Sequence, residues 1–172
     1  HYHGEHTLQY LRRQKTQATT GIPKGLHEPG FVRTFKAMGV EIAHLAEFHN
    51  RRTPHLGTRD RLKQLKLMHD ECARLSNREF LLLPGEEPNV HLGGHWINLF
   101  PKPVYWVLNR RQGAPFVTQH DELGVVYHVG NSADVLKLFK RENGLIWTAH
   151  PRIKSSTGFP DAYAKKDYFL AD

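Results

Sequence analysis

Apolar positions along the chain follow a helical period in some stretches and gather into short unbroken runs in others. Phe31, Phe35 and Met38 fall on one helical face over residues 31–38, and Gly39 supplies the stop. Leu62, Leu65, Met68, Cys72 and Leu75 repeat at helical spacing behind Thr58, an N-cap candidate, with Asp60 in the first turn. Arg59, Lys63, Lys66 and Asp70 fall on the other side of that helix as a solvated face. A third helix is expected after Asn131, running through Leu136 and Phe139 with Asp134 in its first turn, and ending at Gly144.

Between these lie the strand candidates. Residues 40–46 form one. Residues 79–83 form another, closed by Pro84-Gly85 and expected to be buried on both faces. Residues 95–100 and 104–108 follow, separated by Pro101 and Pro103, then 124–129 and 145–149, the last stopped by Pro151. Gly21, Pro23, Gly25, Pro29 and Gly30 mark a loop-rich approach to the first helix. Helices set between apolar strands predict an α/β protein with a largely parallel sheet, either open or closed into a barrel. The length of 172 residues suits one domain spanning 1–172.

Composition narrows the class. With 39% apolar and 24% charged residues the chain is globular rather than disordered, and no apolar run approaches the ~20 residues of a membrane helix. A single cysteine, Cys72, excludes an internal disulfide framework. The chain opens on His1, so its start carries no information on export. A net charge of +7 favours anionic partners. The basic residues are scattered (Arg12-Arg13, Arg51-Arg52, Arg59 to Lys66, Lys165-Lys166), as on an ordinary solvated surface. Trp96, Tyr105, Trp106 and Trp147 fall in apolar strand segments and read as core, which argues against a nucleic-acid face with exposed aromatics.

Thirteen histidines change the picture, and their positions matter more than their number. His49 follows the 40–46 strand, Glu86 and Glu87 follow the 79–83 run, and His150 follows the 145–149 strand. In parallel α/β folds, residues just past strand C-termini converge on one rim. His95 instead begins its apolar run, behind Gly93-Gly94. His1 and His3 stand at period-two spacing, which in extended backbone puts both imidazoles on one side. His44 alternates with apolar residues and reads as a core histidine. His27, His55 and His91 read as loop residues, and His69 lies on a helix.

His1-Tyr2-His3, Glu47-Phe48-His49-Asn50, Pro84-Gly85-Glu86-Glu87, Gly94-His95 and Ala149-His150-Pro151 occur in the order of the polymerase-and-histidinol-phosphatase (PHP) superfamily. The chain resembles its carbaryl-hydrolase-like branch most, over nearly its whole length. The resemblance implies a distorted (β/α)7 barrel and a metal-dependent hydrolase acting on a phosphoester or a carboxylic or carbamic ester. It implies two or three divalent metal ions (Zn, Mn or Fe), with His1 and His3 on the first metal, Glu87 bridging, and His95 and His150 completing the second. His49 takes the place of the histidine in the family's Thr-Asp-His-Asn motif, where this chain has Phe48 before it. The family's late Asp-x-His pair has no counterpart after His150, so the domain is expected to be an incomplete one, truncated at both ends. His6 is a candidate for a third metal, and Glu86 is expected to face solvent or stand behind the ligands. Arg51 and Arg152, with Arg52 and Lys154 near them, are candidates to hold an anionic substrate group, or are surface charge. His120 and His128 are unplaced candidates for a proton donor. A non-catalytic metal-binding domain and a basic nucleic-acid-binding domain remain as alternatives.

Overall fold

The computed structural model describes residues 28–49, 57–88, 91–92 and 95–149, without the side chains of Phe48 and His49. The first helix, α1 (Gly30–Ala37), ends where Gly39 takes φ +75° and Val40 N–H returns to Phe35 O at 2.9 Å. Two short strands follow, β1 (Ile42–His44) and β2 (Glu47–His49), then the long helix α2 (Thr58–Leu75), then β3 (Leu81–Leu83) and β4 (Gly85–Pro88). β1 pairs with β3, and β2 with β4, both parallel and in one continuous register (Ile42 opposite Leu81, Glu47 opposite Glu86). The pair 42–49 and 81–88 with α2 between them is therefore a β-α-β unit, the one arrangement in which residues 50–80 are long enough for a crossover.

After β4 the chain turns back on itself. β5 (Trp96–Leu99) runs antiparallel to β4, and β9 (Leu145–Thr148) antiparallel to β5. β7 (Val117–His120) and β8 (Gly124–His128) form a hairpin, and β6 (Tyr105–Val107) lies parallel to β8 on its other side. A third helix, α3 (Ser132–Arg141), joins the hairpin to β9. The described strands thus form sheets ordered β1-β3, β2-β4-β5-β9 and β6-β8-β7.

This overturns the barrel. A (β/α)7 barrel needs a helix after nearly every strand and an all-parallel sheet. Here three described helices serve nine strands, half of the six ladders are antiparallel, and the architecture is a mixed α/β one built of small sheets.

The helix ends differ from expectation in instructive ways. Gly57, not Thr58, is the N-cap of α2. Asn131 does cap α3, its Oδ1 accepting from Asp134 N–H at 2.9 Å. The left-handed residue after α3 is Asn143 (φ 52°), whereas Gly144 is needed for space, since a Cβ there would lie 2.5 Å from the Phe100 ring and 2.6 Å from that of Phe139. Asp134 also accepts from Arg110 Nη1 at 2.7 Å and from Gly130 N–H at 2.9 Å. Burial alone would push its carboxyl up, but these donors hold it below the ordinary carboxylate value.

The main core gathers Val32 of α1, Leu65, Met68, Cys72 and Leu75 of α2, Phe80, Leu82, Trp106, and Leu138 and Phe139 of α3. Phe100 stacks on Phe139 at 4.6 Å between centroids, and Trp106 meets Phe139 edge-on. Burial pushes the Cys72 thiol up, so it packs as a small apolar group rather than a nucleophile. Two positions expected inside are open: Leu81 is 42% exposed, so that strand is buried on one face only, and Trp147 is 45% exposed.

Gly85 is where the sheet is tightest. A Cβ there would overlap the His44 imidazole and lie 2.5 Å from the backbone O of Asn98 on the adjacent strand. Backbone cannot swing aside as a side-chain tip can. Gly85→Ala is therefore expected to cost about 1–3 kcal/mol, read as a lower urea midpoint with an unchanged slope.

Candidate functional site

The four-stranded sheet carries polar groups on both faces, and its register sorts them. Side chains alternate along a strand, so Glu47, Glu86 and Asn98, which pair across β2, β4 and β5, share one face. Glu87, next along β4, belongs to the other.

The first face is covered. Glu86, 2% exposed, forms an ion pair with Arg61 of α2 and accepts from the indole Nε1 of Trp106 at 2.6 Å. Asn98 binds the same residue twice, its Oδ1 accepting from Glu86 N–H at 3.2 Å and its Nδ2 donating to Oε2 at 3.5 Å. Arg61 also donates to Gln64, one turn along α2. Burial pulls the guanidinium pKa down to about 9 while the field of Glu47 pulls it up, so the charge persists at neutral pH. Glu86 is thus neither solvent-facing nor a group standing behind ligands. It closes a buried polar network between sheet and helix.

The second face holds a carboxylate and an imidazole in contact: His95 Nδ1 lies 2.6 Å from Glu87 Oε1. Glu87 is 2% exposed, while the His95 side chain keeps 16% of its surface, so the ring reaches the exterior and the carboxylate does not. From the neighbouring β1-β3 pair, His44 Nε2 meets Asn98 O at 2.9 Å and its ring lies 5.8 Å from Trp147. Burial keeps this half-buried imidazole below its ordinary pKa, so it is a neutral packing group at pH 7.

Strand direction decides where the candidate positions stand. β2, β4 and β9 run one way and β5 the other. The ends of β2 at His49 and β4 at Pro88 therefore lie at the same end of the sheet as the start of β5 at Trp96. The end of β9 joins them, since Ala149 N–H bonds His95 O at 3.0 Å. His95 opens its run because its strand is antiparallel, which resolves its odd position among residues that end theirs. Glu87 lies inside β4 rather than on a loop past it, and Phe48 is the backbone partner of Glu87.

His1, His3, His6, Arg51, Arg52, His150, Arg152 and Lys154 lie outside the described residues, as does the His49 side chain. Among the described residues, no group of three or more His, Cys, Asp or Glu side chains is arranged to hold a metal ion. The two proton-donor candidates stand on the other sheet. His120, exposed at the end of β7, accepts from Glu122 N–H at 3.3 Å, and His128 lies between Thr118 and Asn109. The Arg61–Glu86–Trp106 network went unread in the sequence, where Arg61 looks like one more charge on a solvated face. Its only sequence signal is its position one residue before Leu62 and four before Leu65, beside the buried stripe.

No helix among the described residues is long and apolar enough to cross a membrane. Comparison of the chain with protein-family models, with characterised proteins and with solved structures found no match.

Proposed function

We propose that the chain is a metal-dependent hydrolase whose cation binds at the end of the four-stranded sheet where β2, β4, β5 and β9 meet. The supporting observation is the contact of a buried carboxylate with a partly open imidazole, Glu87 Oε1 to His95 Nδ1 at 2.6 Å. The donor chemistry fits a divalent cation. A carboxylate on one ring nitrogen fixes the tautomer and aims the other nitrogen outward as a ligand, a pairing that recurs around protein-bound metals. His95 would ligate through Nε2, and Glu87 would hold the proton on Nδ1, a more specific task than bridging. His49 is the last residue of β2, His150 stands two residues after β9 in the sequence, and His1 and His3 would complete the donor set. When bound, a divalent cation supplies Lewis acidity toward water and toward the ester oxygen. Arg51 and Arg152 would neutralise an anionic substrate group. The resemblance to the PHP superfamily supports this chemistry through its motifs alone, because the barrel of that family is not the architecture here.

The test is metal content together with turnover of a generic phosphoester and a generic aryl ester. Purified protein loaded with Zn, Mn or Fe should retain metal stoichiometrically and hydrolyse one of the two. Glu87→Gln should weaken metal binding about 10–100-fold, and His95→Ala and His150→Ala should abolish turnover. Protein that retains no metal, or turnover indifferent to a chelator, sinks the proposal.

A further inference from the structure

The three-stranded sheet carries an arrangement that the metal chemistry does not use. Thr118 on β7, His128 on β8 and Asn109 just past β6 fall on one face of that sheet, because Thr118 is opposite Val126 and Val107 is opposite His128. Their polar atoms form a chain. Thr118 Oγ1 lies 2.8 Å from His128 Nε2, and His128 Nδ1 lies 2.8 Å from Asn109 Oδ1. Asn109 Nδ2 in turn donates to Thr58 Oγ1 at 2.8 Å. With its amide nitrogen committed to Thr58, Asn109 presents its oxygen to His128 and accepts a hydrogen bond from Nδ1–H. Nε2 is then the bare nitrogen, and the Thr118 hydroxyl donates to it. Thr118 and His128 are both only half-buried, so neither residue is sealed in the core.

We propose that Thr118, His128 and Asn109 form a metal-independent nucleophilic site for activated acyl or phosphoryl esters, with Thr118 as nucleophile, His128 as base and Asn109 as the positioning residue. A weak hydroxyl nucleophile is activated by an adjacent base that a third group orients, and all three parts are present at hydrogen-bond distance. With an acyl ester, Thr118 Oγ1 bonds to the carbonyl carbon while its proton passes to His128 Nε2. The bond from carbon to the leaving oxygen breaks, and the leaving alcohol departs with that proton. Water then cleaves the acyl-threonine by the same route in reverse, His128 taking the water's proton and returning it to Thr118. Burial holds the His128 ring below its ordinary pKa, so the free base is the prevailing form at neutral pH. Thr58 is the first residue of α2, so the positive end of an 18-residue helix adjoins the Asn109 side, where it favours neutral over protonated imidazole.

The test uses a fluorophosphonate probe on the whole chain, with intact mass and peptide mapping. Thr118 Oγ1 should bond to phosphorus, fluoride should leave, and the proton should pass to His128. One label per chain is expected on Thr118, unaffected by a chelator. That separates this site from the metal-dependent one, since failure of either leaves the other standing. Thr118→Val should abolish the label and Thr118→Ser should keep it, a pair that also controls for folding. His128→Gln should slow labelling about 100-fold or more. Asn109→Asp places a negative charge on Nδ1, so the rise of labelling rate with pH should move to higher pH, an effect that a purely structural tie would not produce. A label absent from Thr118, a rate unchanged in His128→Gln, or a pH profile unmoved in Asn109→Asp would each overturn the assignment.

Discussion

Arg61→Met is expected to remove about 3–5 kcal/mol of folding stability, a large fraction of the roughly 5–15 kcal/mol that holds an ordinary domain folded. The side chain is 5% exposed and its guanidinium pairs with Glu86, itself 2% exposed, in the field of the equally buried Glu47. Deleting the cation leaves two carboxylates in a low-dielectric layer with their chief counter-charge gone. Methionine fills much of the volume but neutralises nothing. The asymmetry between partners is the sharper part of the expectation. Glu86→Gln leaves Arg61 facing Glu47 and keeps an oxygen for the Trp106 indole, so its cost should be clearly smaller than that of Arg61→Met. Urea unfolding of the two variants checks the order. Equal costs, or a larger one for Glu86→Gln, would show that Arg61 answers to Glu86 alone.

Trp106→Ala is expected to cost about 3–5 kcal/mol. Trp106 is wholly buried, packs edge-on against Phe139, and donates its indole N–H to Glu86 Oε2 at 2.6 Å. Three losses coincide: apolar area, the contacts around the resulting cavity, and a donor to a buried carboxylate. Trp106→Phe separates them, because it keeps most of the ring volume and deletes the donor. About 1–3 kcal/mol is expected for it, the range for a buried polar group deprived of its partner. Thermal or urea unfolding of the pair reads the difference. A Trp106→Phe variant as stable as the parent would mean that Glu86 draws nothing from the indole.

Both expectations turn on a buried polar network that the pattern of the chain does not single out. Arg61 sits between Asp60 and Leu62 in a helix where Glu71 is also buried but Arg59, Lys63, Lys66 and Asp70 are exposed as expected. It differs from them only in lying at the edge of the stripe that faces the sheet, and whether an edge position is covered depends on what packs beside it. Trp106 reads correctly as core, yet Trp147, in an equally apolar run, lies open on β9 at 45% exposure. β9 borders the four-stranded sheet, with β5 as its one strand neighbour among the described residues, so its apolar side chains need not meet a second layer.

The candidate site was legible in part. The motifs of the resemblance put Glu87 and His95 in one ligand set; the structure shows the two in contact, without a third ligand among the described residues. The sequence places Glu86 and Glu87 past a strand end and leads one to expect Glu86 to face solvent or stand behind the ligands, whereas both lie within β4 and face opposite ways, Glu86 into the buried Arg61 network and Glu87 toward His95. Consecutive residues of a strand always diverge in this way, so the misplaced strand boundary hid the buried face to which Glu86 turns. The Thr118–His128–Asn109 chain was not legible at all, because β7 has only a faint apolar signal and the three residues meet only through cross-strand register.

Local periodicity and punctuation determined by themselves where α1, α2 and α3 lie, that Gly39 and Asn131 bound helices, and which runs become β3, β5, β6, β8 and β9. These follow from interactions within a few residues: capping, turn geometry and the helical or two-residue repeat of apolar side chains. Tertiary structure alone decided which strands pair and in which direction, and so replaced a parallel barrel with small mixed sheets. It also decided that His49 and Glu87, on strands that run toward one sheet end, and His95, on a strand that starts there, share an edge. Strand pairing is a contact between segments far apart in sequence, and an apolar run carries the same pattern whether its neighbour runs parallel or antiparallel. Only the assembled sheet fixes the direction, and with it the face and end at which each side chain acts.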